Sequence, residues 1–143
     1  MVAALIAALS GCTSRPYFWV VDPISDSMAV VYVYRPSQNY GGWQSQSVYM
    51  NGRKIASLSS SDYVYYTTGP GIVNVKIAGQ REVHMRFEVE AGKSYFLKSS
   101  VNKFSSQSTA TDIDVLTLME PETGLQEIRN CQLSSNSSAL FSY

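Results

Sequence analysis

The residues that could carry catalysis or bind a metal are few, and they lie far apart in the sequence. The one histidine, His84, alternates with apolar residues beside Arg86 and Glu88, so the pattern predicts a solvated side chain rather than a general base. Asp112 and Asp114 lie two residues apart and are expected at a solvated strand edge. A nucleophile needs an oriented base, and a metal ion needs clustered histidine, cysteine or carboxylate ligands. The sequence therefore predicts no catalytic residue, no metal site and no cofactor.

Cys12 is the residue whose surroundings point most clearly to a chemical modification. It ends an apolar run of about ten residues, which is shorter than the roughly 20 that a membrane-spanning helix needs and is typical of a signal peptide. The end of that run, Leu9-Ser10-Gly11-Cys12, resembles the lipobox of bacterial lipoproteins, where a signal peptidase cuts before a lipidated cysteine. No Lys or Arg precedes the run, so either the α-amino group supplies the usual positive charge alone or the true start lies upstream. The competing interpretation is a buried N-terminal strand or helix that ends in Gly-Cys.

Lipidation of Cys12 would fix the location of the protein. Each acyl chain contributes about 0.8 kcal/mol per buried methylene, so several chains together hold a small domain at a membrane. In Gram-negative lipoproteins, Asp after the lipidated cysteine tends to retain the protein in the inner membrane. Thr13 follows Cys12 here, which by this resemblance implies the outer membrane, with the domain facing the periplasm.

Cys131 is the second of the two cysteines, and its state depends on the first. Two cysteines in an oxidising compartment would ordinarily suggest a disulfide. If Cys12 carries lipid, Cys131 has no partner in the chain. It is then either a small buried hydrophobic residue or a reactive or intermolecular thiol, and the buried interpretation is favoured.

The overall composition predicts one all-β domain without affinity for nucleic acid. Lys plus Arg equals Asp plus Glu at 11 each in 143 residues, and the sequence pI is about 6.6. Nucleic-acid binding normally appears as a basic patch or stripe, which this balance does not supply. Ten tyrosines, many valines and a serine-rich background favour strands and turns.

Large aromatic side chains on a loop are the candidate ligand-binding groups. Tyr40 and Trp43 flank a Gly pair in residues 37–44, where they could stack against a sugar or a partner surface, or fold back over the domain. Three tyrosines of the following strand pattern are further candidate stacking surfaces: Tyr63, Tyr65 and Tyr66. A glycan-binding or peptidoglycan-binding module is therefore one functional hypothesis.

Phe18 and Trp19 lie in a proline-containing segment between Cys12 and the first predicted strand. Aromatic rings favour the membrane interface, so these two could contact lipid headgroups. The favoured alternative is that they pack on the domain.

Hydrophobic patterns predict strands through most of the chain. Ala29–Arg35 is apolar on both faces and predicts a central strand. Asn51-Gly52 separates two short strand patterns and predicts a β-hairpin with a type I′ turn. Strict alternation in residues 83–89 predicts one buried and one solvated face. Further strands are predicted at residues 63–68, 72–78, 94–101 and 112–119.

The remaining segments are predicted to be connections, a short helix and a tail. Residues 102–111 are rich in serine and threonine and are predicted to form a loop. Leu125, Ile128 and Cys131 lie three residues apart, which indicates a short C-terminal helical turn that caps the sheet with Cys131 inward. Residues 134–143 are expected to form a flexible tail.

Together these segments resemble a known family. The lipobox is followed by AVVYVYRP, VYMNGRKIASL, a tyrosine-rich strand before GPG, FEVEAGKSYFL and MEPETGLQEIRNCQL. This arrangement over residues 29–133 is similar to the bacterial lipoproteins grouped as domain of unknown function 2846. The resemblance implies a small β-sandwich protein of the envelope. It implies no activity and no catalytic residues.

The sequence thus predicts a small antiparallel β-sandwich of the immunoglobulin-like or transthyretin-like kind. The expected parts are a lipoprotein signal peptide (1–11), a tether (12–28), the β-sandwich domain (29–133) and the tail (134–143). The expected function is non-catalytic: a membrane-anchored envelope lipoprotein whose sandwich contacts another envelope component, either a protein or a glycan. Residues 48–58 and 83–89, with their turns and alternation, are the parts of this interpretation that a structure tests most directly.

Overall fold

A computed structural model describes residues 18, 25–38, 44–79, 81–106 and 109–135. In these residues the chain forms strands β1 (Ala29–Arg35), β2 (Gln46–Met50), β3 (Arg53–Leu58), β4 (Asp62–Thr68), β5 (Gly71–Ala78) and β6 (Glu82–Val89). They are followed by β7 (Ser94–Ser106), β8 (Thr109–Met119), helix α1 (Pro121–Ile128) and β9 (Gln132–Leu133). The all-β prediction is confirmed.

The strands form two sheets that enclose one core. One sheet has the order β8-β7-β1-β4-β9 and is called the five-stranded sheet; the other has the order β3-β2-β5-β6 and is called the four-stranded sheet. Among the described residues, fifteen are buried in the core between them, including Val31, Val33 and Leu97 from the five-stranded sheet. The four-stranded sheet contributes Val48, Met50, Val73, Val75 and Ile77 to the same core. The arrangement is a β-sandwich.

The five-stranded sheet is mixed rather than antiparallel. β1 pairs antiparallel with β4 but parallel with β7, with Val30 opposite Ser94 and Tyr34 opposite Lys98. β4 also pairs parallel with β9. A parallel pair needs a long connection, and here the chain leaves β1, builds the four-stranded sheet and β4, and returns as β7.

β1 is buried on both faces because the five-stranded sheet has a second apolar layer on its outer side. All seven residues of β1 are buried. Val30, Tyr32 and Tyr34 point into an outer cluster, where they meet Phe96, Ile128 and Cys131. α1 and the chain after it therefore cover the outer face of this sheet, and the predicted central position of β1 is confirmed.

α1 begins at Pro121, earlier than the spacing from Leu125 to Cys131 indicates. Proline at the first helical position has a suitable φ and lacks an N–H that the helix would leave unpaired. Ile128 and Cys131 are buried against the sheet, so the inward orientation of Cys131 is confirmed. Residues 121–124, which the spacing of Leu125, Ile128 and Cys131 does not include, form the first turn of the helix.

The local turn and alternation predictions are also confirmed. Asn51 and Gly52 have φ of 48° and 83°, the positive values that a type I′ turn requires at both central positions. Asn51 Oδ1 also accepts a hydrogen bond of 2.9 Å from the Asn74 backbone N–H, which joins the turn to β5. In β6, Val83, Met85 and Phe87 pack against the core, while His84 is exposed with Arg86 and Glu88.

The prediction of a loop over residues 102–111 is wrong. β7 and β8 form one long antiparallel hairpin whose register runs from Phe96 opposite Met119 to Ser106 opposite Thr109. Serine and threonine in this segment suggested a turn, but backbone pairing does not need apolar side chains. The strands therefore continue until residues 107–108, which lie outside the described part of the chain.

Candidate functional site

Three predicted site residues, Cys12, Tyr40 and Trp43, lie outside the described residues. Lipidation at Cys12 and ligand binding at Tyr40 and Trp43 therefore stay predictions. The structure does describe the residues that flank the aromatic segment 39–43, and these are held firmly on both sides.

The first flank is fixed by Gln38. Its Nε2 donates a hydrogen bond of 3.2 Å to the Val101 carbonyl, and its Oε1 accepts one of 2.9 Å from the Val101 N–H. The side chain of Gln38 thus pairs with the backbone of β7 as another strand would. The chain enters residues 39–43 from a defined point at the end of the sandwich.

The second flank is fixed by a buried arginine. Arg35 is 2% exposed, and its Nη1 donates hydrogen bonds to the carbonyls of Gln44 and, at 3.1 Å, Leu58. Burial lowers the pKa of Arg35, and the nearby carboxylates of Asp114 and Asp62 oppose that shift. Arg35 consequently connects the segment that leaves residues 39–43 to β3 and to the end of the core.

Asp114 does not lie at a solvated edge, so this prediction is wrong. It is 7% exposed, with Oδ1 accepting a hydrogen bond of 2.8 Å from Gln46 Nε2 and Oδ2 accepting one of 3.0 Å from the Arg81 N–H. Gln46 Oε1 accepts a third hydrogen bond, of 2.5 Å, from Ser99 Oγ. A buried carboxylate needs such partners, and these bonds connect β2, β7 and β8 across the sandwich.

On the outer face of the five-stranded sheet, Tyr34, Lys98 and Glu127 form a hydrogen-bonded polar site. Glu127 on α1 accepts a hydrogen bond of 2.6 Å at Oε2 from the Tyr34 hydroxyl and one of 3.1 Å at Oε1 from Lys98 Nζ. Burial raises the pKa of Tyr34 far above its usual value, and the hydrogen bond to Glu127 adds to that shift. Burial alone would raise the pKa of Glu127, but the hydrogen bonds from Tyr34 and Lys98 prevail and lower it. At neutral pH the site therefore holds a neutral phenol beside the Glu127 carboxylate.

A cavity of about 280 Å³ lies beside this pair of charges. Its walls include Pro36 and Ser37 after β1, Ser61 before β4 and Asn130 after α1. We call it the polar pocket.

Cys131 closes one side of the polar pocket as an unreactive group. It is 1% exposed and free of any disulfide, and its Sγ lies 3.8 Å from the Arg35 carbonyl oxygen. Burial raises the pKa of Cys131 to about 12, and the charges of Asp62 and Glu127 add to that shift. The thiol therefore stays protonated at neutral pH, in agreement with the buried interpretation.

Phe18 packs on the domain, as the favoured alternative predicted. Its ring lies 5.3 Å from those of Tyr32 and Tyr63, edge to face, and its N–H donates a 3.0 Å hydrogen bond to the Cys131 carbonyl. An apolar groove of about 250 Å³ runs beside it, with Phe96 and Leu125 among its walls. Trp19 lies outside the described part of the chain.

The three tyrosines of β4 are buried or half-buried and pack against the domain. Tyr63 is 4% exposed and packs in the outer cluster, while Tyr65 packs against the same cluster and Tyr66 against the core between the sheets. Tyr63 therefore has no free ring face for a glycan.

The one histidine of the sequence, His84, lies on β6, within the part of the chain that the structure describes. His84 is exposed, with Nε2 3.5 Å from the carboxylate of Glu82. Among these residues, no three His, Cys, Asp or Glu side chains converge as metal ligands. Likewise, no described helix has the length and apolarity to span a membrane.

Comparison with known families places the sequence in one of them. The profile described as protein of unknown function, DUF2846, matches residues 25–112, which is more than half of the chain. The chain belongs to the DUF2846 family. No curated protein and no solved structure gives a significant match.

The DUF2846 match covers only part of the polar pocket. It includes Pro36, Ser61 and Lys98 but ends before Glu127 on α1 and Asn130 after it. Sequence reasoning missed this site because its groups come from β1, β7 and α1, whose adjacency depends on the strand order. The one available signal was Lys98, the only charged residue in the strand pattern of residues 94–101.

Proposed function

We propose that this DUF2846 protein is a non-catalytic envelope lipoprotein, anchored in the membrane by acyl chains on Cys12, whose β-sandwich contacts another envelope component. The lipobox-like sequence before Cys12 supports the anchor. Thr13 supports sorting to the outer membrane, with the domain in the periplasm. Neither the anchor nor the sorting depends on a reaction catalysed by the β-sandwich domain.

The docking of Phe18 is the observation that carries this proposal. Six residue steps separate Cys12 from Phe18, and an extended chain of that length reaches at most about 20 Å. Because Phe18 is held on the outer face of the five-stranded sheet, an anchor at Cys12 would keep that face, with α1, near the bilayer. The free tether is then shorter than the expected segment 12–28.

This orientation would direct the outer face of the four-stranded sheet away from the membrane. That face carries Ile72, which is 49% exposed, together with the charged side chains of Lys76, Arg86 and Glu88. In this orientation, that face would be the one available for contact with a partner protein.

Replacement of Cys12 tests the anchor. Cells that express the wild type with a radiolabelled fatty acid should give a labelled protein in the membrane fraction. Cys12→Ser should abolish the label and release the protein into the soluble or unprocessed fraction. Cys131→Ser is the matched control, and its label and fractionation should equal those of the wild type. Unchanged label and fractionation in Cys12→Ser would contradict the proposal.

Glycan binding by Tyr40 and Trp43 is the alternative, and the fixed flanks of residues 39–43 favour it. The hydrogen bonds of Gln38 and Arg35 hold both ends of this segment. Fixed ends lower the entropy that the segment would lose when it binds a glycan. Trp43→Ala should then reduce retention on isolated peptidoglycan, while Trp19→Ala should not. Equal retention of both variants would count against this alternative.

A further inference from the structure

The polar pocket has the size of a site for one small molecule. Its volume of about 280 Å³ lies near the lower end of small-molecule sites, which begin at about 300 Å³. Such a volume admits one ring with its substituents rather than an extended chain.

The charges in the polar pocket neutralise each other. Lys98 Nζ and one Glu127 oxygen form an ion pair at 3.1 Å, and the other Glu127 oxygen accepts the Tyr34 hydroxyl bond. Both side chains of the ion pair are about one-third exposed, with relative accessibilities of 30% and 32%. A charged ligand would therefore meet an existing ion pair rather than an unpaired opposite charge.

Several polar groups of the polar pocket remain available for hydrogen bonds. The Lys98 ammonium has three N–H donors and directs one to Glu127. Within the described residues, the Ser37 and Ser61 hydroxyls and the Asn130 carboxamide have no hydrogen-bond partner. Hydroxyls and carboxamides both donate and accept, so the complementary ligand must do both as well.

Ser61 is held at the wall of the polar pocket in an unusual conformation. Its φ is 64°, in the left-handed region that residues other than glycine seldom adopt. Its N–H donates to the Arg35 carbonyl at 2.9 Å, and its carbonyl accepts from the Gln132 N–H at 2.8 Å. Strained residues held in this way are concentrated at functional sites, and here the two backbone hydrogen bonds hold Ser61 at the wall of the polar pocket.

From this geometry we infer that the polar pocket binds an uncharged polyhydroxylated ring, chemically a single monosaccharide unit. The hydroxyls of such a ring can both donate and accept hydrogen bonds. They therefore match the serine hydroxyls, the Asn130 carboxamide and the Lys98 N–H donors that do not bond to Glu127. The side of Pro36 offers an apolar wall for the C–H groups of the ring. This inference stands apart from the anchor at Cys12 and from the aromatic residues Tyr40 and Trp43.

Ligand-observed NMR on the full chain in dodecylphosphocholine micelles tests this inference. The probes are D-glucose, N-acetyl-D-glucosamine and D-glucuronate at millimolar concentrations. At least one neutral sugar should show saturation transfer and should bind more tightly than glucuronate. Ser61→Gly removes the hydroxyl, and glycine adopts the positive φ of this position without strain. Asn130→Ala removes the carboxamide of an exposed side chain that folding does not need. Each should weaken binding roughly fivefold, the effect of one hydrogen bond.

Ser47→Ala is the control, since Ser47 does not line the polar pocket; it should bind as the wild type does. Trp43→Ala separates this inference from the aromatic alternative. Loss of binding in Trp43→Ala with retention in Ser61→Gly and Asn130→Ala would overturn the inference in favour of the aromatic segment. Saturation transfer from none of the three sugars, or from glucuronate alone, would also overturn it.

Discussion

At the scale of single residues, Gly124 shows how closely α1 lies on the sheet. A Cβ at this position would lie 2.4 Å from Phe96 Cβ and 2.7 Å from Phe96 Cγ. We expect Gly124→Ala to lower the free energy of unfolding by about 1–3 kcal/mol because it overpacks this contact. Gly69→Ala is the control, since no atom lies within 4 Å of a Cβ there. Urea unfolding of both variants checks this, and equal midpoints would contradict the close packing of α1.

Cys131 gives a second prediction at this scale. Because its pKa is raised to about 12 by burial, the folded protein should react with iodoacetamide far more slowly at pH 8 than the unfolded protein does. The measurement uses Cys12→Ser, in which Cys131 is the only thiol. The raised pKa also favours folding below the pKa of the unfolded thiol, and that contribution declines as the pH rises toward 12. Rapid alkylation of the folded chain would contradict the buried position of Cys131.

Single residues also mark where sequence reasoning reaches its limit. The exposure of His84 follows from alternation within one strand, so it could be predicted. The burial of Asp114 could not, because its partners Gln46 and Arg81 come from β2 and from the chain before β6. Local patterns give the face on which a residue lies, whereas the residues that cover that face depend on the strand order.

At the scale of elements, α1 is held on the five-stranded sheet partly by Glu127. Its pKa is lower in the folded chain than in the unfolded chain, so its carboxylate stabilises the fold above the unfolded pKa. That contribution is lost as the pH falls through the lowered folded pKa. Glu127→Gln should lower the unfolding free energy by about 1 kcal/mol at neutral pH and reduce its dependence on acidic pH. Glu122→Gln, at an exposed position in the first turn of α1, is the control. The free energy of unfolding of each protein is measured with urea from pH 7 to pH 3. The same pH dependence in the wild type and in Glu127→Gln would contradict this role.

The same scale shows which elements the sequence predicts well. The type I′ hairpin and the alternation of β6 are properties of a few adjacent residues, so they were predicted correctly. The long β7–β8 hairpin was missed because Ser105, Ser106 and Thr109 look like loop residues, although backbone pairing holds them in strands. The parallel pairing of β1 with β7 was also missed, since it depends on contacts between residues more than 60 positions apart.

At the scale of the whole molecule, the two sides of the sandwich differ. One side carries α1, Phe18 and the polar pocket, and the other is the solvated face of the four-stranded sheet. A tether that reaches at most about 20 Å from Cys12 to Phe18 would keep the first side near the membrane. The second side, with Ile72, would then meet the partner.

Photocrosslinking in intact cells tests this central claim most directly. A photoreactive amino acid is placed at Ile72 on the outer face of the four-stranded sheet, or at Leu118 on β8 as a control of similar exposure. The proposed orientation predicts that Ile72 yields one recurrent adduct with an envelope component and that Leu118 does not. Equal adducts at both positions, or adducts at neither position in cells that contain the anchored protein, would contradict it.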